Sequence, residues 1–111
     1  MAYDEELANR VRAALAPHDA VTEKAMFGGL AFLVGGNMAV GITNTAELMV
    51  RLSPEDGEAA LDERHTRPFD MTGRPMRGWI VVARDGLETD AQLGTWVGRG
   101  AAFARSLPPK A

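Results

Sequence analysis

The segment richest in β-forming residues is KAMFGGLAFLVGGNMAVGIT, residues 24–43. β-formers and small residues run from Lys24 to Val34, and a second apolar run extends from Met38 to Thr43. The residues between them, Gly35-Gly36-Asn37, are typical of a tight turn because Gly and Asn tolerate the left-handed backbone conformation. The segment therefore predicts a β-hairpin, with each apolar run forming one strand.

The residues on either side extend this hairpin. A second tight turn at Asn44-Thr45 and a mostly apolar run from Glu47 to Leu52 predict a third strand. Before the hairpin, apolar residues recur at helical spacing from about Asp4, and Pro17 ends the run. This pattern predicts a first helix with one buried stripe, formed by Leu7, Val11, Ala14 and Leu15.

A second helix is predicted to begin after the third strand. Ser53-Pro54 is a strong helix start, because Ser can cap free amides and Pro suits the first helical position. We expect this helix to run to about Asp62. The segment from Glu63 to Gly78, rich in Arg, Pro and Gly, predicts a loop with a brief strand at Pro68 to Met71.

The chain ends with a strand and a helix. Trp79 to Ala83 is a clear strand pattern, and Asp85-Gly86 stops it. Thr89 or Asp90 is expected to cap a last helix, and Pro108 to end it. The predicted order is therefore αβββαββα, in a single domain of residues 1–111. Strands joined by short turns pair antiparallel, and helices need a sheet face to bury their stripes, so we predict an α+β fold of two layers.

Glycines at two places predict close packing. Gly28 and Gly29 lie inside the first predicted strand, where glycine marks a bulge or a close approach of another backbone; here we expect them to let a helix pack tightly. Gly94, Gly98 and Gly100 in the last helix cost roughly 1 kcal/mol each against Ala. We therefore expect this helix to pack closely on the sheet or against a second chain.

Composition restricts the class of protein. The chain has 111 residues, a net charge of −3 and no cysteine, so disulfides, thiolate nucleophiles and cysteine-based metal sites are excluded. The longest apolar stretch is far shorter than the ~20 residues of a membrane span, and the acidic amino terminus does not resemble a secretory signal. We expect a cytoplasmic protein that does not contact membranes.

The side chains that most often carry chemistry are sparse. His18 and His65 have no second ligand at metal-binding spacing, and both are expected to be exposed. Ser53 is better explained as a helix cap and Ser106 lies in a helix end, so neither indicates a nucleophile. No glycine-rich phosphate loop is present. The sequence thus predicts no catalytic residue, no cofactor, no metal and no enzymatic activity.

The most unusual stretch runs from Arg64 to Trp79 and combines arginines with Met and aromatic residues. This combination is enriched at protein interfaces and is also possible at a nucleic-acid surface. Three interpretations remain open: a structural loop, a protein-contact surface, or a contact with nucleic acid or a small anion. The candidate interaction surface comprises Arg67, Arg74, Met76, Arg77 and Trp79.

Several motifs resemble those of the amino-terminal domain of the TfoX/Sxy family. They are Lys24-x-Met26-Phe27-Gly28-Gly29-Leu30, Gly36-Asn37-Met38, the segment from Thr72 to Trp79, and the ending Trp96-Val97, Ala102-Phe103-Ala104 and Leu107-Pro108-Pro109-Lys110. The resemblance covers nearly the whole chain and implies a fold similar to that of secretion chaperones, with no catalytic residues to carry over.

The resemblance also implies a functional context. Two-domain members of the family regulate competence genes in bacteria together with the cyclic-AMP receptor protein at promoters. The present sequence stops at residue 111 without a carboxy-terminal TfoX domain, so this regulatory role transfers only weakly.

The resulting functional prediction is a non-enzymatic interaction or regulatory domain that acts through protein contact, linked to transcription and able to form a homodimer. Direct nucleic-acid binding through the arginines of the Arg64 to Arg77 segment is the alternative. A third hypothesis is a small-molecule-binding domain with a pocket between sheet and helices, which a sequence cannot reveal.

Overall fold

The computed structural model describes residues 3–26, 28–70 and 75–109. These contain three α-helices, six strands and one 3-10 turn. The elements are α1 Glu5–Leu15, β1 Val21–Met26, β2 Gly29–Val34, β3 Asn37–Ile42, β4 Leu48–Arg51, α2 Pro54–Ala60, β5 Thr66–Asp70, β6 Pro75–Val82, the 3-10 turn Arg84–Leu87 and α3 Asp90–Ser106.

The six strands form one antiparallel sheet in the order β1-β2-β3-β4-β6-β5. The predicted α+β class, with helices packed on an antiparallel sheet, is confirmed. The element order differs by one strand, because the run from Lys24 to Val34 contains two strands instead of one. β1 ends at Met26, Gly28 has a φ of +75°, and the chain reverses so that β2 pairs with β1.

The second half also contains more strand than the sequence predicts. The brief strand expected at Pro68 to Met71 is β5, which begins earlier at Thr66, and the strand expected at Trp79 begins at Pro75. Both strands are longer than predicted because β5 and β6 pair with each other, from Thr66 opposite Val82 to Asp70 opposite Pro75. The predicted loop therefore contributes β5 and the first half of β6 to one edge of the sheet.

The hydrophobic core lies on the face of the sheet that the helices cover. Alternate residues of β2, β4 and β6 point into it, as the period of two along a strand requires. Its fully buried strand and helix side chains include Phe32, Leu48, Ile80, Leu15, Val11, Leu93 and Val97. No helix in the described ranges is both long and apolar enough to cross a membrane.

Side-chain caps begin all three helices. Asp4 accepts from the Leu7 amide at 3.0 Å, and Ser53 accepts from the Asp56 amide at 3.1 Å. Thr89 forms a capping box with Gln92. The predicted starts at Ser53 and Thr89 are confirmed, whereas α2 ends at Ala60, two residues before the expected Asp62.

Close packing at glycine is confirmed at one position of the last helix. A Cβ on Gly100 would lie 2.5 Å from the Ala39 carbonyl oxygen of β3, so α3 sits directly on the sheet there. A Cβ on Gly94 or Gly98 would meet nothing within 4 Å. For Gly29 the expected helix contact is wrong, because its close neighbour is the Ile42 backbone of the adjacent strand β3.

Candidate functional site

The sheet face opposite the core carries the candidate site. Leu30, Ile42 and Leu48 point into the core, so the residues next to them along the strands must point to the other face. Ala31 pairs with Gly41, and Gly41 pairs with Met49, so these three residues lie side by side in one row across β2, β3 and β4. We call this side of the sheet the open face.

A cleft of about 390 Å³ lies on the open face, and the described residues that line it belong to strands and turns. Its walls carry methionine and aromatic side chains contributed by five strands: Met26, Met38, Met49, Met76, Phe69 and Trp79. The rings of Phe69 and Trp79 are 6.3 Å apart between centroids. We call this feature the methionine cleft. Thr43, Asn44 and Asp70 are the polar residues at its margin.

Gly41 creates the depth of the methionine cleft. A Cβ at this position would lie 2.9 Å from the Met38 Cε and 3.1 Å from the Met49 Cε. Both methyl groups therefore lie close above the bare glycine backbone. Because a methionine side chain is flexible and polarisable, these walls can adjust to apolar groups of different shapes.

The structure places the members of the predicted interaction surface in different surroundings. Met76 and Trp79 line the methionine cleft, and Met76 is the large apolar residue with the greatest exposure in the described ranges, at 39%. Arg77 contacts Glu58 of α2 at 3.4 Å, and Arg67 forms a two-pronged ion pair with Glu47. Arg74 lies outside the described residues.

Three methionines of the cleft were not predicted from the sequence as part of any site. Met26, Met38 and Met49 each lie in a strand pattern where an apolar residue is normally attributed to the core. The available signal for Met38 and Met49 was their position beside core residues, Ala39 for Met38 and both Leu48 and Val50 for Met49. Met26 lies in β1, whose residues are exposed or half-buried, so this pattern gave no signal there.

The arginines near the cleft are largely occupied within the domain. The guanidinium of Arg67 donates to both oxygens of Glu47, which holds the pKa of that carboxyl below its usual range. The Arg51 guanidinium lies 5.3 Å from the Trp79 ring centroid and 5.5 Å from that of Phe103. The sequence alone does not identify partners for Arg67 and Arg51. In the structure both guanidinium groups contact side chains of the same domain.

We expect Arg67→Ala to raise the pKa of Glu47 toward its ordinary value, because the charge-assisted hydrogen bonds to the carboxylate are lost. Since the folded-state pKa of Glu47 lies below the unfolded value, the pair stabilises the protein above the unfolded pKa and loses this contribution as the pH falls through the folded pKa. Arg67 is about half exposed, so the contribution is at most about 1 kcal/mol. Carbon-13 NMR titration of the Glu47 carboxyl checks the prediction, and an unchanged pKa in the variant would contradict it.

The remaining residues considered for chemistry have structural surroundings. His65 is exposed, as expected, but His18 is half-buried, and its Nδ1 has no hydrogen-bond partner in the described residues. The Ser53 hydroxyl caps α2 and the Ser106 hydroxyl donates to the Phe103 carbonyl at 2.6 Å. Within residues 3–26, 28–70 and 75–109, no group of three His, Asp or Glu side chains is arranged to hold a metal ion.

The sequence is similar to a known family of protein domains. The chain matches the family model of the TfoX N-terminal domain over residues 13–104, from the last three residues of α1 to Ala104 of α3. No curated protein sequence matches the chain. Because the family model spans most of the sequence, this chain belongs to the TfoX N-terminal domain family.

Proposed function

We propose that this protein is a non-enzymatic interaction domain that binds a partner protein through the methionine cleft. The observation that carries the proposal is the cleft itself: apolar side chains from all six strands line a cavity on the open face, and no helix residue of the described ranges lines it. Solvent-exposed apolar surface of this kind is typical of a protein-interaction site. The proposed binding surface therefore includes Met76 and Trp79, which the sequence also predicted, together with Met26, Met38 and Met49.

The residue types of the cleft support a protein ligand. Methionine and aromatic residues are enriched at protein interfaces, and aromatic anchors contribute much of the binding energy at many of them. A volume of about 390 Å³ accommodates a few apolar side chains of a partner. The flexible methionines at Met38 and Met49 allow the walls to close around them.

Direct nucleic-acid binding has less support than protein contact. Of the arginines proposed for it, Arg67 is paired with Glu47 and Arg77 with Glu58, so each would have to give up a carboxylate to bind a phosphate. The net charge of −3 also disfavours a phosphate backbone. The polar groups at the margin of the cleft do not resemble a phosphate site.

The biological setting belongs to the same proposal. We place the domain in the bacterial cytoplasm, in agreement with a chain free of cysteine. The role of two-domain TfoX proteins in competence regulation suggests a partner in a transcription network. In this setting the domain would act by holding a partner protein, without catalysing a reaction.

Replacing Gly41 by leucine tests the proposal. The new side chain would meet the Met38 and Met49 methyl groups and occupy the cleft, on the face of the sheet opposite the core. We expect Gly41→Leu to weaken the capture of a partner protein by about ten-fold or more, the usual effect at the centre of an interface. Capture from a nuclease-treated lysate of the source cells, followed by mass spectrometry of the retained proteins, measures it.

Two control variants separate the cleft from the rest of the surface. Gly98→Leu adds the same side chain on α3, where a Cβ would meet nothing within 4 Å, and should leave capture unchanged. Arg77→Ala removes a predicted surface residue that contacts α2 and should also leave it unchanged. Partners that survive in Gly41→Leu, or that disappear with nuclease, would contradict a protein-binding cleft.

A further inference from the structure

The sheet beneath the methionine cleft offers no main-chain hydrogen bonds to an occupant. β2, β3 and β4 each pair with a strand on both sides, so their backbone groups are used within the sheet. An extended peptide laid over them would leave its own amide and carbonyl groups without partners on an apolar surface. An α-helix satisfies its backbone groups internally, so a helix is the element that fits.

The charges beside the cleft set a second requirement. Lys24 of β1 pairs with Ala31 of the cleft, so its side chain is on the open face, and it is exposed. Arg51 follows Met49 by two residues on β4, and its guanidinium lies beside the cleft, between the rings of Trp79 and of Phe103 in α3. Among the described residues neither cation forms an ion pair, and the residues outside the described ranges contain no Asp or Glu.

The other charges of this face do not cancel the two cations. Glu47 is already paired with Arg67. Asp70 lies at the β5 end of the cleft. Because β5 follows β6 in the strand order, Asp70 is farther from β1 than Trp79 is. A partner that covers the cleft between Lys24 and Arg51 therefore meets two positive charges, one at each side of an apolar surface.

The separation of the backbone positions of Lys24 and Arg51 sets an approximate spacing in the partner. Lys24 is level with Met49 through the pairs Lys24 to Ala31, Ala31 to Gly41 and Gly41 to Met49. Three strand spacings of about 4.8 Å across the sheet and two residues of about 3.4 Å along β4 give a separation of about 16 Å. Eleven residues of an α-helix span about the same distance, after three full turns, so residues i and i+11 lie on one face.

We propose that the partner segment is an amphipathic helix with acidic residues about eleven positions apart on its apolar face. The acids pair with Lys24 and Arg51, and the apolar residues between them enter the methionine cleft. This inference rests on the proposed function, because it specifies the partner of the same cleft.

Two synthetic helical peptides test it. Each has 18 residues and a stripe of Leu and Met at positions 7, 10 and 11; one carries Glu at positions 3 and 14, and the other carries Lys there. Fluorescence anisotropy of labelled peptides measures their dissociation constants, with circular dichroism as the measure of their helicity. We expect the Glu peptide to bind the wild type about ten-fold more tightly than the Lys peptide, since each exposed ion pair contributes up to about five-fold.

The two peptides can differ in helicity as well as in charge. Charge-reversal variants of the protein control for this difference, because each peptide is then compared with itself. Lys24→Glu should weaken the Glu peptide about five-fold and strengthen the Lys peptide, whereas Arg105→Glu, with the same net charge on the exposed side of α3, should change neither by more than about two-fold. Equal binding of both peptides, or equal effects of the two variants, would overturn the charge pattern.

The outcomes separate this inference from the proposed function. If neither peptide binds the folded wild type at millimolar concentration, the helical partner is wrong, while capture that depends on Gly41 would still support a protein-binding cleft. If Gly41→Leu leaves capture unchanged, the proposed function itself fails.

Discussion

Replacing Phe32 by alanine is expected to lower the free energy of unfolding by about 3–5 kcal/mol. Phe32 lies in β2, is fully buried, and is the largest of the completely buried side chains. Its removal loses the transfer free energy of the ring and leaves a cavity between the sheet and the helices that the flanking strands cannot fill. Chemical denaturation followed by circular dichroism gives the change.

Leu33→Ala is the matched control for this prediction. Leu33 is the next residue of β2, so it lies on the open face and is only half-buried. We expect Leu33→Ala to lower the free energy of unfolding by about 1 kcal/mol, because Leu33 has less buried apolar surface to lose than Phe32. Similar losses at positions 32 and 33 would contradict a core confined to the helix-covered face.

The second large effect is expected at Gly100. Gly100→Ala should destabilise the protein by about 1–3 kcal/mol, because the new methyl group would overlap the Ala39 carbonyl and force α3 away from β3. Gly98→Ala, two residues earlier, should instead stabilise it by up to about 1 kcal/mol, since alanine favours the helix and nothing occupies the added space.

Thermal denaturation of the two alanine variants measures both effects in one experiment. The opposite signs are the decisive feature, because helix propensity alone predicts that both changes stabilise the protein. If Gly100→Ala also raised the melting temperature, the direct contact between α3 and β3 would be wrong.

Local signals in the sequence predicted the helices and their starts. Ser53 and Thr89 act within three residues of their own position, so the cap chemistry is complete in a short window. The division of the run from Lys24 to Val34 was missed because Gly28 and Gly29, which also suit a turn, were attributed to a bulge or a close backbone approach within one strand of good β-formers. Only the pairing of β1 with β2 separates the two strands.

The composition of the methionine cleft depends on contacts between distant parts of the chain. β6 inserts between β4 and β5, which brings Trp79 beside Arg51 and Met76 into the same cleft as Met26. No periodicity in the sequence encodes this strand order. The arginines were similarly ambiguous, because Arg67 and Arg77 find carboxylates 20 and 19 residues away.

The exposed strand β1 has a consequence for self-association. A two-fold antiparallel pairing of β1 with the same strand of another copy places residues of equal parity opposite each other, and the registers of greatest overlap centre on Glu23 or Lys24. Like charges then meet at the centre of the new ladder, which disfavours it. The charges of β1 therefore disfavour the joining of two copies through this edge of the sheet, and any homodimer is expected to use a surface other than β1.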